Sequence, residues 1–263
     1  MNQGGSHFFL LMTTMQLAGQ LRRRKGRVLG ALDRQGRSLL HWLILANRLD
    51  LAALLVDAGV RLDIQDRRGR EPLHYARSQK AVDLLINAGA NANARDLAGR
   101  TALHMCIRKD RGEIVAALLK RGGDVHMKDA SGLNALHHAA QKGQAELVRS
   151  LIEEHGVYVD ARDKHGRHAL YHALSGGHLG SVKALLDGGA DLAKIDFKGT
   201  PWHQVASMEQ IGTIQEYAKS AAQAQKRVGG WTPDPLAMER LHGKLVDQTW
   251  SRSSHHQVFA QKL

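Results

Sequence analysis

The chain has 263 residues, enough for one large folding unit or two small ones; it is 43% hydrophobic, 5% aromatic, and carries 27 Gly against four Pro. Its single cysteine, Cys106, excludes an internal disulfide and suits a reducing compartment. A net charge of +12 favours acidic partners, and no run approaches the ~18 apolar residues of a membrane-spanning helix.

Residues 1–32 hold Arg22, Arg23, Arg24, Lys25 and Arg27 and no acidic side chain. Phe8, Leu11, Met12 and Met15 precede that cluster on one helical stripe, which predicts a helical N-terminal cap. Apolar residues before basic ones reverse the order of a secretory signal, so a cytoplasmic location is expected.

Self-similarity begins at Asp33 and restarts at Asp66, Asp96, Asp129, Asp163 and Asp196, at intervals of 33, 30, 33, 34 and 33 residues. With each Asp as position zero, position three is Gly: Gly36, Gly69, Gly99, Gly132, Gly166 and Gly199. Asp-x-x-Gly suits a tight turn in which the carboxylate bonds the backbone and Gly takes positive φ. The segments SLLHW, EPLHYA, TALHMC, NALHHA and HALYHA follow, and TPWHQV comes one residue early. They predict a first helix capped by Ser38, Thr101, Asn134 or Thr200, with Pro72 and Pro201 in the first turn. Gly143 and Gly177 suit its end. A second helix follows in each repeat, as Leu51, Leu54 and Leu55 or Ile114, Val115, Leu118 and Leu119 fall at helical spacing. One such pair cannot bury both faces, but stacked neighbours can.

Departures from the period carry their own expectations. Repeat two is three residues short between its helices, so its first helix is truncated. Repeat four has one extra residue near His155, and repeat five has His168 at the cap position, which predicts lower local stability. The polar second half of repeat six reads as a C-terminal cap. Gly229-Gly230 then breaks the chain, and Asp234-Pro235 starts one short helix in a basic tail.

The pattern D-x-x-G-x-T-P-L-H-x-A-A…L-L…G-A resembles the ankyrin repeat over about residues 33–222. The resemblance implies an all-α solenoid of stacked helix-turn-helix units joined by β-turn fingers, with helical caps at both ends. The expected domains are 1–32, the N-terminal cap; 33–222, the repeats; and 223–263, the tail. The short second repeat is similar to prokaryotic members, which points to a bacterial source.

In that family, turn positions one, two and four and the loop-side end of the first helix line the binding groove. Carried over, these are Arg34, Arg37, Arg67, Arg68, Arg70, Arg100, Lys164, His165 and Arg167 in the turns, with Arg108, Lys109 and Lys142 at helix ends. Trp42 and Tyr75 share position nine; packing between repeats is their bland role, and partial exposure would make them binding anchors. An arginine after the turn glycine is ordinary in the family. Three in one turn, Arg67, Arg68 and Arg70, are harder to read as a solvated face.

Sixteen histidines raise the question of a metal. His41, His74, His104, His137 and His203 hold the TPLH position, where the resemblance implies a structural role. His138, His165, His168 and His172 cluster, but the pattern supplies no fixed fourth ligand, and a polar ladder accounts for them better. Cys106 stands where the family has Ala, and His104, two residues earlier on a helix, points elsewhere. No phosphate loop is present. The expectation is a non-enzyme without metal or cofactor.

Three functions follow. The first is a scaffold, monomeric alone, whose basic groove engages an acidic protein face as adaptor, inhibitor or immunity-type neutraliser. The second is nucleic-acid or anionic-membrane binding through Arg22–Arg27 and the groove, which the scarcity of stacking aromatics disfavours for single strands. The third is an exported effector acting on a host protein.

Overall fold

The computed structural model describes residues 32–193, 195 and 201–228. The chain divides into two compact units at Val205/Ala206.

The first unit is a stack of helix pairs. They are α1 (Leu39–Leu45) with α2 (Leu49–Asp57), a single 3-10 turn (Pro72–Tyr75) with α3 (Gln79–Asn87), and α4 (Ala102–Arg108) with α5 (Gly112–Lys120). Then come α6 (Ala135–Lys142) with α7 (Ala145–Glu153), α8 (Ala169–Ser175) with α9 (Leu179–Asp187), and the short α10 (Trp202–Val205). First helices pack on first helices of the neighbouring repeats (α4 on α6, α6 on α8) and second on second (α3 on α5, α7 on α9). Leu40, Leu43, Ile44, Leu103, Ile107 and Leu136 from the first row, with Leu51, Leu55, Leu85 and Leu118 from the second, are buried in one continuous core.

Local chemistry explains several helix starts. Thr101 Oγ accepts the His104 N–H and Asn134 Oδ1 accepts the His137 N–H (3.4 and 3.2 Å). Pro72 opens the 3-10 turn, where its missing N–H costs nothing. The first helices end in a left-handed residue: Gly143 and Gly177 as expected, but also Asn47 (φ 56°) and Asp110 (φ 54°). Side chains of the next repeat then reach back to the exposed carbonyl ends. Arg111 Nη1 donates to Ala76 O (3.1 Å) and Gln144 Nε2 to Ile107 O (2.9 Å); His178 Nε2 lies 3.1 Å from Gln141 O.

The expected β-turn fingers are corrected. Among the described residues there is no β-strand, and the one isolated bridge pairs Leu32 with Ser38. Each connection is closed by a single turn, Gly69 N–H to Asp66 O and its equivalents at 2.8–3.0 Å. Neighbouring turns share one backbone bond apiece: Arg67 N–H to Gln35 O, Leu97 to Arg68, Ala130 to Ala98 and Lys164 to Ser131, at 2.7–3.0 Å. A ladder needs paired residues in succession, and one bond between neighbouring turns does not supply it. At Gly132 (φ +80°) a Cβ would stand 2.6 Å from Lys164 N, so glycine serves both the turn and the close approach of the next repeat.

The second unit contains α11 (Met208–Val228), a helix of 21 residues where the period leads one to expect a short one. Ser207 and Gln210 form a reciprocal cap at its start: the Ser207 N–H donates to Gln210 Oε1 (2.6 Å) and the Gln210 N–H to Ser207 Oγ (3.3 Å). The N-terminal cap expected over 1–32 lies outside the described residues except Leu32, as do the sixth turn at Asp196–Gly199 and the short helix from Asp234.

Candidate partner-binding face

Each turn is organised around its Asp, which is half-buried at Asp33 and buried at Asp66, Asp96, Asp129 and Asp163. Asp129 Oδ1 accepts the N–H groups of Ser131 and Leu133 (2.8 and 3.1 Å), and Asp66, Asp96 and Asp163 repeat this scheme. The second carboxylate oxygen takes a donor from position nine of the same repeat. Trp42 Nε1 donates to Asp33 (3.1 Å), Tyr75 Oη to Asp66 (2.5 Å), and His138 and His172 meet Asp129 and Asp163 at 3.0 and 3.1 Å. Repeat three has Met105 there, and Arg100 supplies two bonds to Asp96 instead (2.9 and 2.7 Å). Burial alone would raise these carboxyl groups, but the donors outweigh it and hold Asp129 at about 2.

Trp42 and Tyr75 are therefore half-buried latches on their own turns. The same holds for most arginines at position four. Arg37, Arg100 and Arg167 pair with Asp33, Asp96 and Asp163 at 2.7–3.0 Å, and Arg70 lies 3.8 Å from Asp96 of the next repeat. The Arg37 guanidinium also sits 4.0 Å over the Trp42 ring. These cations are committed to the fold, whereas Arg34, Arg67, Arg68, Lys164 and His165 stand exposed at the turn tips. Arg108, Lys109 and Lys142 are exposed at the first-helix ends.

The TPLH histidines stitch repeats together. Backbone N–H groups of Ser38, Glu71 and Thr101 donate to Nδ1 of His41, His74 and His104, each at 3.1 Å. Nδ1 is thus unprotonated, so Nε2 carries the hydrogen and donates to a carbonyl in or just before the following turn: Arg70, Arg100 and Met127 O at 2.9–3.1 Å. His137 spans the same gap, with Nδ1 2.6 Å from Asn134 Oδ1 and 3.4 Å from Asn134 N, and Nε2 3.3 Å from Arg167 O. Burial pushes His104 and His137 down to about 4, helped by His138 beside the first and His172 beside the second.

His138 and His172 are held by turn carboxylates, and among the described residues no group of three or more His, Cys, Asp or Glu is placed to hold a metal. Burial pushes the Cys106 thiol up to about 11, which removes its nucleophilic form. No described helix is long and apolar enough to cross a membrane.

The repeat pattern does not by itself predict the position-nine latch or the reach-back from position fifteen. The first was legible: a side-chain donor stands nine residues after four turn aspartates, and Arg100 substitutes where it fails. The second was not, because Arg111, Gln144 and His178 share no chemistry beyond an N–H donor.

Helix pairs stacked through aspartate-centred turns and bridging histidines define a repeat scaffold. The chain belongs to the ankyrin-repeat family: the family model described as "Ankyrin repeats (3 copies)" matches residues 17–96, 40–129 and 112–196. Among solved structures it is similar to the ankyrin repeat domain of Bcl-3, described as a unique member of the IkappaB protein family. That domain is 27% identical with a TM-score of 0.69, over 80% of this chain and 96% of the other. No curated protein matches the chain.

Proposed function

We propose that the protein is a non-enzymatic binding scaffold whose turn tips and first-helix ends engage an acidic face of a protein partner. The observation that carries this is the separation of charge. On the turn side the aspartates are sunk into the turns, while Arg34, Arg67, Arg68, Arg108, Lys109, Lys142 and Lys164 are exposed. On the side of the second helices, cations alternate with acids and several pair directly, as in Asp83–Arg121 (2.8 Å) and Glu146–Arg149 (2.6 Å). One face thus attracts acidic surfaces and the other is close to balanced. The stack is preformed, so little ordering cost opposes binding. Adaptor, inhibitor and immunity-type neutraliser in a bacterium are roles this chemistry fits.

The test is affinity capture with the wild type and with Arg67→Glu/Arg68→Glu. Neither side chain has an ion pair among the described residues, so reversal leaves the turn intact. The variant should lose a partner that the wild type retains. Unchanged capture by the variant sinks the assignment. Retention of polynucleotide by the wild type, released steeply by salt, would favour nucleic acid instead.

A further inference from the structure

The second repeat breaks the row of first-helix ends. Its 3-10 turn starts at the same repeat position as α1 and α4 but stops at Tyr75, after four residues against seven in each neighbour. At about 2.0 Å per residue the 3-10 turn spans about 8 Å, against about 10.5 Å for seven α-helical residues, which leaves a step about 2.5 Å deep beside the ends of α1 and α4.

Cations gather at this step. Arg111 Nη1 donates to Ala76 O (3.1 Å) and Arg77 Nη1 to Leu45 O (3.5 Å), so both guanidinium groups are tethered by one nitrogen to backbone flanking the gap. Lys109 follows the end of α4, next to Arg108, and both are exposed. Arg70 completes the group from below, its guanidinium 5.9 Å from the Tyr75 ring and its Nε 3.8 Å from Asp96. Asp110 is the nearby exposed carboxylate, and its Oδ1 is occupied by Gln144 Nε2 of the next repeat (2.6 Å). Among the described residues Arg77, Arg108, Lys109 and Arg111 have no ion pair. The crowding is felt: Lys109 is pushed down from the usual lysine range by partial burial and then by Arg111, Arg70 and Arg77.

We infer that the step at the short repeat is an anion-anchoring subsite, formed by Arg77, Lys109 and Arg111, that takes a phosphate monoester borne by a protein partner. A single carboxylate would offset only one of these three cations, whereas a dianion with three acceptor oxygens offsets two and offers an acceptor to each. One nitrogen of each arginine bonds backbone, and the other donors of each fork are left for a ligand. The subsite deepens the proposed protein-binding role and rests on it.

The probe is O-phosphoserine, titrated into the 15N-labelled full chain, with glutamate as the carboxylate control. Saturable shifts are expected at amides of Ala76–Ser78 and Arg108–Arg111, with at least tenfold weaker binding of glutamate. Arg77→Gln/Lys109→Ala should weaken O-phosphoserine at least tenfold while keeping the wild-type melting temperature within a few degrees. Arg67→Glu/Arg68→Glu should change it by less than threefold, so loss of partner capture at the turn tips and loss of the subsite are read separately. Equal effects of both double variants would mean diffuse attraction and would overturn the subsite. So would unchanged binding in Arg77→Gln/Lys109→Ala. Sedimentation with phosphatidylserine vesicles that depends on Arg77 and Lys109, without saturable O-phosphoserine binding, would refute the proposal in favour of a lipid surface.

Discussion

Acid should loosen this stack well above the pH at which carboxylates titrate. His104 accepts a backbone N–H on Nδ1 and donates from Nε2, so it cannot gain a proton without losing a bond, and His137 is buried beside His172. Their folded values lie at about 4, while an unfolded imidazole titrates near about 6.5. The unfolded chain therefore binds more protons, and stability falls as pH drops below about 6.5, levelling off only near the folded values. From pH 7 to pH 5 the loss is about 2 kcal/mol per histidine and about 4 kcal/mol for the pair. His41, His74 and His172 are also depressed, by burial first, and add in the same direction. Asp129, held at about 2, contributes only at much lower pH, where its protonation costs stability in a separate window. Urea unfolding followed by circular dichroism at pH 7, 6 and 5 measures the total. Hydrogen exchange should show α4, α6 and α8 losing protection before α1. The imidazole resonances of His104 and His137 supply the decisive reading: titration of either near pH 6.5 in the folded chain, or stability flat from pH 7 to 5, would refute the reasoning.

The turn glycines give a paired test. Gly132→Ala combines positive φ with a Cβ 2.6 Å from Lys164 N, whereas Gly59→Ala has positive φ (+75°) and open space around it. Gly59→Ala should cost about 1 kcal/mol and Gly132→Ala at least about 2 kcal/mol, measured by urea unfolding. Cys106 should resist alkylation in the folded chain at pH 8 and react at least about 100-fold faster in denaturant, since its thiolate is both buried and disfavoured.

Much of the molecule was legible before any coordinates. The Asp-x-x-Gly period placed the turns, because few sequences satisfy a carboxylate-bonded turn and a left-handed residue together. Leu-Leu pairs at helical spacing placed the second helices, and the missing residues of repeat two announced its short first helix. The row of arginines was legible too, but not their division of labour. Arg37, Arg67, Arg68 and Arg100 look alike in sequence. Only packing shows that Arg37 and Arg100 close their own turns while Arg67 and Arg68 remain at the tips.

The expected fingers fail to form among the described residues for a related reason. Turn chemistry is local and can be read from four residues, whereas strand pairing depends on how far neighbouring turns run alongside each other. Here they meet at one backbone bond per repeat. The sequence by itself determined the repeat, its helices and its basic character, since these follow from short-range spacing. Tertiary structure decided which cations are spent on the fold, that position nine latches each turn, and that Arg77, Lys109 and Arg111 share one gap. Those outcomes depend on distances between residues about 30 positions apart, which stacking sets and local pattern does not.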